Sequence, residues 1–108
     1  MKGIFITFEG LDASGKTTQI GLLKRWLEEK KFDFILTREP GGTAISDQIR
    51  RILLDRGNAG MLPVTEALLY AASRAQLVGE VILPALRRGS IVVSDRFLDS
   101  SIAYQSFG

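Results

Sequence analysis

The sequence of 108 residues contains neither cysteine nor histidine. Without cysteine there is no disulfide framework and no thiol chemistry, and without histidine as well a zinc site is not expected. The composition is otherwise that of a globular protein, with 45% hydrophobic and 24% charged residues. A chain of this length buries about 60–70% of its unfolded surface. We therefore expect residues 1–108 to form one globular unit with a modest core.

Long hydrophobic runs and blocks of like charge are also missing. No apolar stretch reaches the roughly 18 residues of a membrane helix, and the N-terminus has no signal-peptide pattern. A cytoplasmic protein with no membrane partner is therefore expected. The net charge is only +2, and the basic residues occur as pairs among acids. That pattern is typical of solvated helix faces and indicates no nucleic-acid partner.

Apolar periodicity divides the chain into alternating strands and helices. Strands are predicted at 3–8, 32–37 and 90–94, which are short and rich in β-branched or aromatic residues. Helices are predicted at 17–30, from 45 to near 57, and at 64–88, with a kink or break near Pro84 and an end at Gly89. The segment 38–43 is predicted as a loop, and a further helix begins near 99 or 100. Apolar strands separated by helices indicate an α/β fold with a parallel sheet flanked by helices.

The segment EGLDASGKTTQ, residues 9–19, contains the phosphate-binding pattern G-x-x-x-x-G-K-[ST] in full, from Gly10 to Thr17. The glycines let successive backbone N–H groups converge on phosphate oxygens at the positive end of the next helix. Lys16 is expected to reach the β- and γ-phosphates, and the Thr17 hydroxyl to bind Mg²⁺. Because the motif lies between a predicted strand and a predicted helix, we prefer this function to a purely structural turn. The expected architecture is a three-layer P-loop NTPase fold, here a partial domain with about three strands.

A second magnesium ligand is predicted at the end of the third strand. P-loop proteins hold the metal with a carboxylate that follows an apolar strand, and Asp95 follows the run IVVS. The alternative is that Asp95 only caps the next helix. Given the P-loop, the metal role is the better interpretation.

The P-loop alone does not distinguish kinases from switches and motors. A GTPase is disfavoured, because the only D-x-x-G pattern lies inside the P-loop and the only asparagine is Asn58. Tyr70 and Arg74 are four residues apart on one predicted helix, so they share a face that suits a flat heterocycle with carbonyl groups. The alternative for this pair is a half-buried tyrosine beside a surface arginine.

Two further arginines follow the predicted strands. Arg38 comes after the second strand and Arg96 after the third, at the edge of the sheet where ligands bind. Arginines that converge beside a P-loop favour a second anionic substrate that receives a phosphoryl group.

Four segments of the chain resemble the thymidylate kinase family, whose members phosphorylate dTMP with ATP. They are FITFEGLDASGKTTQ, TREPGGT followed by IRRILL, EALLYAASRAQ with ILPAL, and SDRFLDSSIAYQ. They cover nearly the whole chain in the family's order, and the second and fourth are more specific than the P-loop. The resemblance implies transfer of the ATP γ-phosphoryl group to dTMP, giving dTDP and ADP in dTTP biosynthesis, with Mg²⁺ as cofactor.

The resemblance also implies roles for individual residues. Tyr70 would stack on thymine, Arg74 would donate a hydrogen bond to a thymine carbonyl, and Tyr104 would crowd the 2′ position of the sugar. Asp12 would contact the sugar 3′-OH, and Glu39 would lie near the acceptor. The implied catalytic residues are Lys16, Arg96, Asp12 and Glu39. The implied ATP-binding residues are Gly10, Leu11, Asp12, Ala13, Ser14, Gly15, Lys16, Thr17 and Thr18. The implied dTMP-binding residues are Arg38, Arg50, Tyr70, Arg74, Arg96, Ser101, Tyr104 and Gln105, and the metal ligands are Thr17 and Asp95.

The chain departs from the family pattern in two respects. Ala13 occupies a position where some members carry an arginine, so the chain resembles the bacterial-type branch, which takes its arginines from a mobile lid. Members are also roughly twice as long, so we interpret the chain as an N-terminal portion without lid or adenine-binding region. The resemblance implies a homodimer at full length, and the Glu39-Pro40 bond is a candidate for the cis isomer. The open alternatives are another P-loop nucleotide kinase, a nucleotide-gated switch or binding module, and an inactive fragment that only binds nucleotide.

Overall fold

Three parallel strands form the centre of the fold. The computed structural model describes residues 3–10 and 15–97. Strand β1 spans Ile4–Gly10, β2 spans Phe34–Glu39 and β3 spans Ile91–Phe97. The strand order is β1-β3-β2, so β3 lies between the other two and pairs in parallel with both. The predicted parallel sheet of three strands is confirmed.

Helices connect the strands and cover both faces of the sheet. Helix α1 spans Lys16–Glu29 and links β1 to β2, while α2 spans Ala44–Leu54 and is followed by a short 3₁₀ turn, Arg56–Asn58. Helix α3 spans Pro63–Leu77, and a π-helical segment, Val78–Ile82, joins it to α4, Leu83–Arg87. No helix in the part of the chain that the structure describes is long and apolar enough to cross a membrane.

The helix end predicted at Gly89 is present, and the kink or break predicted near Pro84 corresponds to a π-helical segment rather than to an interruption of the helix. Pro84 lies in the first turn of α4 and cannot donate a backbone hydrogen bond, and the π-helical segment lies directly before that turn. Gly89 has φ 85°, and its N–H donates to Leu86 O. The next N–H, of Ser90, donates to Ala85 O. These two bonds form a Schellman motif that satisfies the last carbonyls of the helix.

The strand ends differ from the prediction. The segment from 38 was predicted as a loop, but β2 continues through Arg38 and Glu39, and β3 likewise continues through Asp95 and Arg96. The reason is cross-strand pairing. Arg38 lies opposite Asp95 and Glu39 lies opposite Arg96, so each pair places opposite charges side by side. This pairing extends the ladder beyond the apolar residues that the periodicity detects.

The core lies on both faces of the sheet. Val92 faces a cluster with Leu77, Ile82 and Ala85 from the α3–α4 layer. Val93, its neighbour in sequence, points to the opposite face, where Leu27 of α1 covers it. Alternate residues of β3 are therefore buried in different layers, as expected of a central parallel strand.

Leu77 provides a test of this packing. Its side chain is fully buried between the sheet and the loop at Gly42. Leu77→Ala is expected to lower the free energy of unfolding by about 2–5 kcal/mol, because it leaves a cavity in the core. Urea unfolding measures this change. Leu68→Ala is the matched control, since Leu68 lies on the same helix and is 65% exposed. Equal losses in the two variants would contradict the assigned core.

Candidate functional site

The phosphate-binding segment lies between β1 and α1, as predicted. Strand β1 ends at Gly10, and α1 begins directly after Gly15, which is the N-cap residue with φ 80°. A glycine has no side chain that could cap the helix, and no side-chain capping bond is present. The first N–H groups of α1 are therefore suited to an anionic ligand. Thr17 and Thr18 are exposed on this first turn. The residues between, Leu11, Asp12, Ala13 and Ser14, lie outside the described part of the chain.

Lys16 lies close to the predicted metal ligand. Its side chain is 3% exposed, and Nζ lies 2.7 Å from Asp95 Oδ1. The same ammonium donates a hydrogen bond to Arg96 O at 3.3 Å. The structure therefore joins the start of α1 to the end of β3, and it brings together two residues that the sequence assigns to ATP and to Mg²⁺.

A buried carboxylate, that of Glu39, joins three elements. The side chain is 7% exposed. Its Oε1 accepts from Arg74 Nε of α3 at 2.6 Å, and its Oε2 accepts from Arg96 Nε of β3 at 2.8 Å. Ser94 Oγ also donates to Oε2, at 3.0 Å. Two of the four arginines predicted to bind the substrate, Arg74 and Arg96, are thus held by the same carboxylate.

The charge state of Glu39 follows from these contacts. Burial alone would raise the pKa of Glu39, but the hydrogen bonds and charges of Arg74 and Arg96 outweigh burial and lower the pKa below its usual value of 4.5. Glu39 is therefore an ionised acceptor at neutral pH. It is suited to orienting the two arginines and poorly suited to removing a proton.

The pairing through Nε leaves part of each guanidinium for other contacts. Within residues 3–10 and 15–97, the terminal nitrogens of Arg74 make no hydrogen bond to protein, and the Arg74 side chain is 49% exposed. Arg96 uses Nη1 to donate to Glu9 Oε1 at 3.1 Å, while its Nη2 has no hydrogen-bond partner in that part of the chain. Arg74 is therefore held at Nε, and Arg96 is held at Nε and Nη1.

The loop at residues 40–43 is fixed by hydrogen bonds from two helices. The Glu39-Pro40 bond, a candidate for the cis isomer in the sequence, is cis. Gly41 N donates to Ser73 Oγ of α3 at 3.2 Å, and Gly42 N donates to Asp47 Oδ1 of α2 at 3.0 Å. Gly42 has φ 102°, and a Cβ there would lie 2.8 Å from Leu77 Cδ1. Only glycine fits this position without displacing the core.

A serine–threonine pair ties α2 to α3 below this loop. Thr43 caps α2 by accepting from Ser46 N at 2.9 Å. Ser46 Oγ then donates to Ser73 O at 2.8 Å, and both serines are fully buried. Arg50, one turn further along α2, donates from Nη1 to Pro40 O at 2.9 Å. The two helices are thereby held at fixed positions around the loop.

These elements enclose a pocket of about 110 Å³. Its lining includes Arg38, Glu39, Arg50, Leu54, Tyr70 and Asp95. The volume is below the roughly 300–1,000 Å³ of typical small-molecule sites, so it corresponds to a subsite. Tyr70 and Arg74 lie on the same helix as predicted, with Tyr70 at the pocket and Arg74 bound to Glu39. Ser101, Tyr104 and Gln105, predicted at the base and sugar, lie outside the described residues.

Sequence reasoning missed several residues that hold the site together. Glu9 binds Arg96, Ser94 binds Glu39, and Ser73 binds both the loop and α2. Glu9 could have been found from the charged residues that end all three apolar strands. The two serines give no such signal, because their roles depend on the tertiary contact between α3 and the loop.

The two predicted metal ligands, Thr17 and Asp95, are of a type that Mg²⁺ accepts. In residues 3–10 and 15–97 no group of three or more acidic, histidine or cysteine side chains could hold a metal alone. Thr17 and Asp95 supply a hydroxyl and a carboxylate, which are hard oxygen ligands. Mg²⁺ is commonly held by one or two such groups together with phosphates and water.

The fold and the site together define the class. Three features are those of a P-loop α/β protein. They are the parallel sheet, the G-x-x-x-x-G-K-T segment between the first strand and the first helix, and the lysine of that segment paired with an aspartate of β3.

Comparison with known proteins identifies the family. The family model described as thymidylate kinase matches residues 8–108. Thymidylate kinase of Pelobacter propionicus is 61% identical over 106 residues, which are 98% of this chain and 48% of that protein. Thymidylate kinase of Desulforudis audaxviator is 58% identical over 109 residues, which are 100% of this chain and 49% of that protein. The chain belongs to the thymidylate kinase family.

A solved structure agrees in fold. The crystal structure of thymidylate kinase from Ehrlichia chaffeensis matches with a TM-score of 0.81 and 42% identity, over 100% of this chain and 61% of that one. The three-layer P-loop architecture predicted from the sequence is confirmed. The chain spans about half the length of the curated relatives it matches.

The Glu39 contacts predict a pH-dependent loss of stability. Glu39→Gln is expected to lower the free energy of unfolding at pH 7, because two arginines lose their ionised partner. The native pKa lies below the unfolded one. The stabilisation is therefore complete above the unfolded value of about 4.5, and it disappears as the pH falls through the native pKa. Urea unfolding of wild type and variant between about pH 7 and pH 3.5 measures the difference.

The control for the lost charge is Glu28→Gln, at an exposed position of α1. A difference between wild type and Glu39→Gln that stays constant over the whole pH range would contradict an ionised, arginine-bound Glu39.

Proposed function

We propose that the full-length protein carrying this chain is a thymidylate kinase, which transfers the ATP γ-phosphoryl group to dTMP and releases dTDP and ADP. One observation carries the proposal. The carboxylate of Glu39 holds Arg74 and Arg96 next to a pocket lined by Arg38, Arg50 and Tyr70, at the sheet edge where Lys16 meets Asp95. Family membership supports the same reaction.

The donor half of the site is assigned to the P-loop and the start of α1. Lys16 would exchange its contact with Asp95 for the β- and γ-phosphates, because a flexible ammonium can redirect without moving the backbone. Thr17 and Asp95 would hold Mg²⁺, which supplies charge neutralisation at the phosphates. The ATP-binding residues proposed are Gly10, Leu11, Asp12, Ala13, Ser14, Gly15, Lys16, Thr17 and Thr18.

The acceptor half is assigned to the pocket and to the two anchored arginines. The ring of Tyr70 would stack on the base, and the terminal nitrogens of Arg74 would donate to a thymine carbonyl. Arg38, Arg50 and Arg96 would bind the acceptor phosphate and the transferred group. Ser101, Tyr104 and Gln105 complete the proposed acceptor set, along the base edge and at the sugar.

The chemistry needs positioning and charge more than a base. A phosphate oxygen of dTMP is already a nucleophile, so in-line attack on the γ-phosphorus requires alignment and neutralisation of the developing charge. Lys16 and Arg96 would supply the charge, and Asp12 would orient the acceptor through its 3′-OH. Glu39 contributes by holding Arg74 and Arg96 in place, in keeping with its lowered pKa. The homodimer and the cytoplasmic location stay predictions.

Acceptor preference is the decisive test. The full-length protein is assayed for ADP release with dTMP, dUMP, dCMP or dGMP. We expect dTMP to have the highest kcat/KM, with a modest lead over dUMP, since one methyl group discriminates only about 10–200-fold. A larger lead over dCMP is expected, because cytosine replaces a carbonyl with an amino group that cannot accept from Arg74. Chelation of Mg²⁺ with EDTA should abolish ADP release.

A matched pair of variants locates the specificity. Arg74→Gln should lower kcat/KM for dTMP and reduce the preference for dTMP over dCMP. Arg51→Gln, at an exposed position of the neighbouring helix, is the control and should leave both values unchanged. A better acceptor than dTMP would favour another nucleotide kinase. ADP release that no acceptor stimulates would favour a nucleotide-binding module.

A further inference from the structure

A row of alternating charges crosses the sheet at the ends of its strands. Glu9 of β1 lies directly opposite Arg96 of β3, which in turn lies opposite Glu39 of β2. Arg96 Nη1 is 3.1 Å from Glu9 Oε1, and Arg96 Nε is 2.8 Å from Glu39 Oε2. Arg74 adds a fourth member through Glu39 Oε1 at 2.6 Å. We call Glu9, Arg96, Glu39 and Arg74 the four-charge chain.

Arg96 is the member of the four-charge chain that contacts both carboxylates. Its side chain is 19% exposed, and its guanidinium carbon lies 5.6 Å from the centre of the Phe5 ring. Burial alone would lower the pKa of Arg96, but the hydrogen bonds of Glu39 and then of Glu9 outweigh burial and raise the pKa. The guanidinium is therefore charged and is held from three directions by Glu9, Glu39 and Phe5.

The two carboxylates fix different degrees of freedom. Glu39 accepts from Nε, which anchors the guanidinium at its inner edge but still allows the plane to tilt. Glu9 accepts from Nη1, and a planar group held at two of its nitrogens has one defined orientation. Nη2 then points in a fixed direction.

We propose that Glu9 is a positioning residue for the acceptor phosphate, which it serves by orienting Arg96. This inference rests on the proposed function, in which Arg96 binds that phosphate. Glu9 makes the contact from the residue directly before Gly10, where the P-loop begins, so the strand that leads into the donor site also sets the direction of an acceptor arginine.

The position of Glu9 separates this role from a merely structural one. Damage to the end of β1 would disturb the P-loop and would raise the KM for ATP, together with that for the acceptor if Asp12 is displaced. Loss of an Arg96 anchor would instead raise the KM for the acceptor and leave the KM for ATP unchanged. A third possibility is that the carboxylate only repels anions, in which case its removal would lower the KM for the acceptor.

The test compares Glu9→Ala and Glu9→Gln in the full-length protein, with dTMP as acceptor. Glu9→Ala removes both the charge and the hydrogen-bond acceptor, and it should raise the KM for dTMP by about three- to fivefold, the upper part of the range for an ion pair with an exposed member. Glu9→Gln keeps an oxygen that can accept from Nη1, so the increase should be smaller. The KM for ATP should stay within about twofold of wild type in both variants. Glu28→Ala, on the exposed face of α1, is the control.

A double-mutant cycle with Arg96→Lys shows whether Glu9 acts through Arg96. A lysine cannot bridge two carboxylates with a planar group, so Glu9→Ala should add little in that background. The inference is refuted by an unchanged or lowered KM for dTMP, by an equal increase for ATP, or by full additivity in the cycle. Wild-type protein that shows no dTMP-dependent ADP release would refute the proposed function and this inference together. Dependence on Arg96 without dependence on Glu9 would refute the inference alone.

Discussion

The ion-paired carboxylate of Glu39 is the interaction on which the rest of the site depends. A carboxylate that is 7% exposed must be compensated, because burying an isolated charge is costly. Two arginines and Ser94 supply that compensation, and they come from β3 and α3. The requirement to satisfy one buried charge therefore fixes the end of the central strand relative to a helix that is distant in sequence.

The loop after Glu39 forms part of the pocket beside this carboxylate. The N–H groups of Gly41 and Gly42 donate to Ser73 of α3 and Asp47 of α2, and Arg50 donates to Pro40 O. Two glycines with positive φ allow the chain to make these contacts while it passes over Leu77. Arg50 and Tyr70 consequently face the same cavity although they lie on different helices. Hydrogen bonds of the backbone of this loop and of buried hydroxyls hold the pocket together.

The sequence predicts some of these features much better than others. Local signals predict four features: the position of the P-loop, the three strands, the irregular helix near Pro84 and the helix end at Gly89. The signals are apolar runs, a glycine-rich motif and the chemistry of proline and glycine. The same signals do not predict the ends of β2 and β3, because Arg38, Glu39, Asp95 and Arg96 are polar and join the ladder only through charges on the partner strand. The sequence also does not predict the partners of Arg74 and Arg96, since contacts between residues far apart in sequence depend on how the strands and helices pack. Glu9 shows this most clearly: its charge marks the end of a strand, but its contact with Arg96 depends on the register of β1 beside β3.

The central claim is that Glu39 holds both arginines by Nε, which leaves the terminal nitrogens of Arg74 and Nη2 of Arg96 for the proposed nucleotide. A crystal structure of the full-length protein with bound dTMP tests this claim most directly. The account predicts that Arg74 Nε and Arg96 Nε remain within hydrogen-bond distance of Glu39, while terminal nitrogens of Arg74 contact the base and Nη2 of Arg96 contacts the phosphate. A complex in which either arginine leaves Glu39 to reach the nucleotide, or in which dTMP binds away from this edge of the sheet, would contradict it.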